Sequence, residues 1–141
     1  MPKTNRDGSA RKSELPSTLE RSSAKAQRTY AHTYDAAIEE YDGDEERAQR
    51  TAWAAVKHSF EKVGDHWEAK DERGPSDERA ARRGRSGGET AGGVDANATK
   101  EHLLRRARQL DVKGRSTMTK AELVEALQKA NDKATREARE D

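Results

Sequence analysis

The chain has no cysteine. Disulfides, thiolate metal sites and a cysteine nucleophile are therefore excluded. Apolar material is scarce as well: of 141 residues only 30% are hydrophobic and 4% aromatic, whereas 39% are charged. That is too little to bury one core along the whole length, so folded islands joined by polar chain are expected. No run approaches the roughly 20 apolar residues needed to cross a bilayer. The opening MPKTNRDGSARK has no apolar stretch behind its charges and does not read as a secretory signal. A cytoplasmic protein without membrane insertion is expected. The net charge of +1 supplies no overall field, so attraction to an anionic partner requires local asymmetry.

All six aromatic residues (Tyr30, Tyr34, Tyr41, Trp53, Phe60 and Trp67) fall in one stretch, which places the main core in 14–70. Tyr30, Tyr34, Ala37, Ile38 and Tyr41 recur at helical spacing, with Ser23 as the N-cap. Asp42-Gly43-Asp44 breaks that helix, and Asp44 caps a second. The second stripe runs through Ala48, Ala52, Ala55, Val56, Phe60 and Val63, beside Trp53. Gly64 is expected as its left-handed C-terminal glycine. Upstream, Ser17 and Glu20 stand at capping-box spacing after the entry turn Leu15-Pro16. DHWEAK at 65–70 is too short to assign; if extended, it would fold Trp67 back onto the helices.

The rest divides by composition. Residues 1–13 form a basic tail expected to be disordered, with Lys3, Arg6, Arg11 and Lys12. Residues 71–98 hold six of the ten glycines and read as a disordered linker. Its root-mean-square span would be about 30 Å. Periodicity returns in 99–130: Leu103, Leu104, Ala107 and Leu110 follow an N-cap at Thr99, and a Thr119/Glu122 capping box opens a helix carrying Leu123, Val124 and Leu127. Residues 131–141 are a charged tail that either prolongs this helix or frays. The fold class expected is all-α.

Local charge supplies the chemistry. Over 99–127, seven bases face four acids, leaving +3. The loop KGRSTMTK at 113–120 combines Lys113 and Arg115 with Ser116 and Thr117 hydroxyls and the amides of the next helix start. Such groups suit phosphate contacts. Gly114 lets the backbone turn or approach a partner closely. The candidate nucleic-acid-binding residues are Arg105, Arg106, Arg108, Lys113, Gly114, Arg115, Ser116 and Lys120; the competing reading is a turn, a cap and a solvated face. With no aromatic here for stacking, duplex DNA is expected ahead of RNA, bound weakly and salt-sensitively. Over 13–70, eight bases face twelve acids, leaving −4, which favours protein contact instead. Asp42–Glu46 lacks the layout of a calcium loop. His32, His58, His66 and His102 show no metal-ligand spacing, and no glycine-rich phosphate loop exists. No metal, no cofactor and no enzymatic activity are expected.

Two resemblances follow. Leu15-Pro16, AQRTY at 26–30, TAWAAVKHSFEK at 51–62 and GDHW at 64–67 resemble the ChaB family over about 14–70. That family is named for cation transport regulation. The resemblance implies a small, largely helical fold with some short extended structure, and an association with a cation/proton antiporter. Leu103-Leu104, Ala107, Leu110, Val112, Gly114 and MTKAELVEAL at 118–127 look like the N-terminal module of the transcription terminator Rho and the related SAP motif. This second resemblance implies two helices joined by an extended loop, in a group many of whose members bind DNA or RNA. The combined reading is a non-enzymatic adaptor with a protein-contacting island and a phosphate-contacting one. Alternatives are a peripheral antiporter regulator with no nucleic-acid role, and a hydrophilic stress-type protein.

Overall fold

The computed structural model describes residues 2–71, 73–75 and 91–140, with side chains through residue 138. Within them the chain is mainly helical. Helices α1 (Ser17–Glu20), α2 (Ala24–Glu40) and α3 (Glu45–Ser59) precede strands β1 (Phe60–Val63) and β2 (His66–Ala69); α4 (Lys100–Gln109) and α5 (Lys120–Glu140) follow. Among the described residues no helix is long and apolar enough to cross a membrane.

The caps fall where the side-chain chemistry places them. Ser23 Oγ accepts from Ala26 N, Asp44 Oδ1 from Arg47 N, and Thr99 Oγ1 from His102 N. Thr119 and Glu122 form the reciprocal box, with Glu122 N donating to Thr119 Oγ1 and Thr119 N to Glu122 Oε1. Ser17 does not cap: α1 is a single turn behind Pro16, without a side-chain cap bond.

Helices α2 and α3 pack through small residues, Ala26, Ala31 and Ala37 against Ala48, Ala52 and Val56, all buried. Tyr30 meets Trp53 edge-on at 5.0 Å, and Trp53 lies 5.2 Å from Trp67. The second stripe does not stay helical. Helix α3 stops at Ser59, and Phe60–Val63 pairs antiparallel with His66–Ala69. Gly64 therefore caps no helix. It stands at φ +71° as the first residue of a two-residue hairpin turn, where a glycine is favoured. Trp67 returns to the core as the extended reading of DHWEAK requires. Its indole Nε1 donates to Thr18 Oγ1 at 3.1 Å and its backbone N to Ser22 Oγ at 2.8 Å.

The structure departs from two boundary expectations and selects between the alternatives of a third. The N-terminal stretch is ordered from residue 2: Lys3 N and Thr4 N donate to the Asp35 carboxylate, and Ala10 is buried in the main core. Of the expected linker, 72 and 76–90 lie outside the described residues, but 91–98 is packed. Ala91 and Val94 join Leu103, Ala107, Leu123 and Leu127 in a second core. Of the charged tail, 131–140 prolongs α5, one of the two outcomes expected, and Asn131 and Thr135 are buried there. Burial decides each case: one or two small apolar or hydrogen-bonding side chains suffice to hold a polar segment against a neighbour.

The 91–94 turn also bonds to the hairpin edge, Lys62 N donating to Gly93 O at 2.9 Å. Gly93 has φ +96°, and a Cβ there would fall 2.7 Å from Lys62 Cβ and 2.8 Å from Trp67 Cη2. Gly93→Ala is expected to cost about 2–4 kcal/mol from backbone strain and overpacking together. Urea denaturation of the full chain would show this as a lowered midpoint at unchanged slope. An unchanged midpoint would mean that this turn yields freely.

Candidate functional site

The candidate residues separate into two groups. Lys113, Gly114, Arg115 and Ser116 sit on the loop between α4 and α5, and Lys120 is the first residue of α5. Lys113, Ser116 and Lys120 are exposed, and Arg115 is half-buried. Gly114 adopts φ +73° with nothing within 4 Å of where a Cβ would lie, so it serves the backbone bend and leaves open space beside it. Lys113 Nζ lies 3.1 Å from Asp111 Oδ1, and Arg115 Nη1 donates to Val112 O. Arg108 is exposed on α4.

Arg105 and Arg106 turn toward the β-hairpin instead. Arg105 Nη2 donates to Asp71 Oδ2 at 2.6 Å, in an exposed pair. Arg106, only 15% exposed, fills a junction between the two halves of the chain. The register places Glu61 directly opposite Glu68 on the hairpin. Two like charges facing across strands repel, and Glu61 is also 3% exposed. Arg106 resolves both problems. Its Nη2 donates to Glu61 Oε2 at 3.3 Å, its Nε lies 3.2 Å from Glu61 Oε1, and its Nη1 donates to Glu68 Oε1 at 2.9 Å. His102 Nε2 lies 2.7 Å from Glu61 Oε2, and Gln109 Nε2 donates to Glu68 Oε2 at 2.9 Å. His102, Arg106 and Gln109 stand at i, i+4 and i+7, one face of α4.

A second clasp closes the turn of the hairpin. Asn131, fully buried on α5, accepts from Gly64 N at 2.7 Å and donates to Lys62 O at 3.1 Å. Thr135 Oγ1 donates to Gly64 O at 3.1 Å. Sequence reasoning passed over these groups because each is polar. The available signal was spacing: Asn131 and Thr135 continue the i+4 series of Leu123 and Leu127.

Residues 15–70 match the ChaB family model. No curated protein and no solved structure matches the chain. The ChaB-matching segment ends just past β2, so the hairpin carrying Glu61 and Glu68 belongs to it, while Arg106, His102 and Asn131 lie outside it. Among the described residues, no group of three or more histidine and carboxylate side chains is arranged to hold a metal ion.

Proton binding at the junction has a definite sign. Burial opposes the charged form of His66, but hydrogen bonds to Asp65 and Glu68 outweigh it and raise the imidazole above its ordinary 6.5. Burial likewise opposes ionised Glu68, yet bonds from His66, Arg106 and Gln109 hold it below 4.5. The His66 contribution is therefore complete below pH 6.5 and lost as pH rises through the folded value; that of Glu68 is complete above 4.5 and lost as pH falls through its own. Chain stability is expected to decline on both sides of this window, and His66→Gln to remove part of the alkaline decline. Urea midpoints from about pH 3 to about pH 8 test this. Parallel curves for the two proteins would clear His66 of the effect.

Proposed function

We propose that this protein is a non-enzymatic regulator of cation transport that acts by contacting another protein from the aqueous, cytoplasmic side of a membrane. The observation supporting it is the ChaB match over residues 15–70, which suggests cation transport regulation and, through the family resemblance, a cation/proton antiporter as the partner. The exposed acids of the α2–α3 turn, Glu39, Glu40, Asp42, Glu45 and Glu46, give this segment a face suited to a basic protein surface. The test is ion-driven proton exchange in everted membrane vesicles from a strain lacking the protein, with and without the purified full chain. A change in exchange on addition is expected. Identical exchange with and without the chain would overturn the reading.

A second reading concerns the C-terminal helices, whose helix–loop–helix order resembles the Rho N-terminal and SAP modules. Exposed Lys113, Ser116 and Lys120 around an open Gly114 favour phosphate contact at the loop. Because Arg105 and Arg106 are held by acids of the first half, the contact surface is smaller than the charge count implies. The full chain is expected to bind duplex DNA weakly, with a salt slope falling by about one for each of Lys113→Gln and Lys120→Gln. Absence of binding at the lowest salt would sink this reading and leave the first intact.

A further inference from the structure

Charge in the first half of the chain is divided end from end. Over 1–33, seven bases face three acids, leaving +4; over 34–46, seven acids face no base. Helix α2 runs from one region into the other. Lys25 and Glu40 stand near its two ends, about 22 Å apart at ~1.5 Å per residue. That is more than twice the roughly 8 Å over which charges act in physiological salt, so the two ends meet their partners independently.

The basic end has a defined surface. The turn Asp7–Ser9 lies against the first half of α2, held by His32 Nε2, which donates to Gly8 O at 2.7 Å. Between turn and helix runs an open groove lined by Lys25, Arg28 and His32, at i, i+3 and i+7 on one face of α2. Lys25 and Arg28 are exposed, as is Arg6, next to Asp7 in the turn. Among the described residues none of these three side chains has a hydrogen bond or an ion pair. They differ in this from Arg105 and Arg106, which acids of the first half already hold. Asp7 is the one acid among the described lining residues. Its carboxylate accepts from Ser9 N at 3.0 Å and from Ser9 Oγ at 2.6 Å, so it is engaged within its own turn.

The groove is too open to enclose a small ligand, and no aromatic side chain lines it for a base to stack on. An open face of unpaired cations fits an extended anionic surface, to which each nearby base adds attraction. We infer that this end of the protein binds the anionic lipid headgroups of a bilayer, with Arg6, Lys25 and Arg28 as its contacts. The choice of a bilayer over another polyanion rests on the transport reading, which sets the chain beside a membrane; the surface itself does not. The acidic turn, at the far end of α2, stays clear of the lipid and open to a basic protein surface.

The test is cosedimentation of the purified full chain with vesicles of pure phosphatidylglycerol or pure phosphatidylcholine at several salt concentrations. Expected are binding to the anionic vesicles alone and its release as salt rises. Lys25→Gln together with Arg28→Gln should lower the partition coefficient about tenfold or more, at roughly fivefold for each cation. Arg6→Gln, outside any helix, carries the same expectation on its own, about threefold or more, and circular dichroism confirms that the variants are folded. Lys113→Gln with Lys120→Gln removes as much charge from the start of α5 and the loop before it, and should change binding about twofold at most. The vesicles hold no transporter, so failure here and failure of the proton-exchange test are distinguishable. No binding to phosphatidylglycerol at the lowest salt, equal binding to both lipids, or equal losses in the two double variants would each overturn the assignment. Duplex DNA binding that falls with Lys25→Gln and Arg28→Gln, in a chain that ignores the vesicles, would give this face to nucleic acid instead.

Discussion

Arg106→Met is expected to destabilise the full chain by about 3–5 kcal/mol, because it leaves Glu61 charged and buried with only His102 beside it. That is a large part of the ~5–15 kcal/mol that holds a typical domain folded. The loss would come from an uncompensated charge and not from the worth of the pair as such. The double variant Glu61→Met with Arg106→Met should therefore recover more than half of it. Equilibrium urea unfolding of the two single variants and the double variant gives the coupling directly. If the double variant is as unstable as the two single losses added together, the buried charge is not the source. The construction has a physical logic. Glu61 and Glu68 face each other across β1 and β2, and within the hairpin His66 reaches only Glu68, so the cation that meets both carboxylates comes from elsewhere. That cation comes from α4, some 38 residues beyond Glu68 in the chain.

Asn131→Leu should cost about 2–4 kcal/mol, from two buried backbone groups that lose their partners together. Gly64 N–H and Lys62 C=O both bond to this one carboxamide, and leucine of similar size can replace neither bond. Thr135 still donates to Gly64 O, so the turn keeps one tie to α5. The local signature is exchange of the Gly64 amide with solvent deuterium. It should speed up by more than the global destabilisation accounts for, because the hairpin turn would open from α5 before the chain unfolds. Unaltered protection of that amide would show that the bond to Asn131 does not hold the turn. Thr135→Val is expected to have a smaller effect of the same kind, about 1 kcal/mol, since it removes a single bond.

Much of the local structure was legible in the residues. Ser23, Asp44, Thr99 and the Thr119/Glu122 box start helices as their side-chain oxygens dictate, and the aromatic stretch marks the main core. The β-hairpin was only half legible. Val56, Phe60 and Val63 fit a helical stripe as well as they fit a strand, because so short an apolar series does not separate the two periods. Pairing with His66–Ala69 settles it. At the candidate site the loop Lys113–Lys120 was legible as a turn, a cap and a cluster of cations. What Arg105 and Arg106 do was not, because a charge count carries no direction: their partners Asp71, Glu61 and Glu68 belong to another part of the chain.

The sequence by itself determined what depends on neighbours within a few residues: the helix starts at Ser23, Asp44, Thr99 and Thr119, the position of the aromatic core and the absence of cysteine chemistry. Only the tertiary structure decided which polar residues are interior. Glu61, His102, Asn131 and Thr135 read as surface residues by type, yet all are buried. Each gives up water for a partner at least 41 residues away, as with His102 and Glu61, or 67 away, as with Asn131 and Gly64. A buried polar group is tolerated only when such a partner is in place, and no pattern local to the chain records where that partner will be.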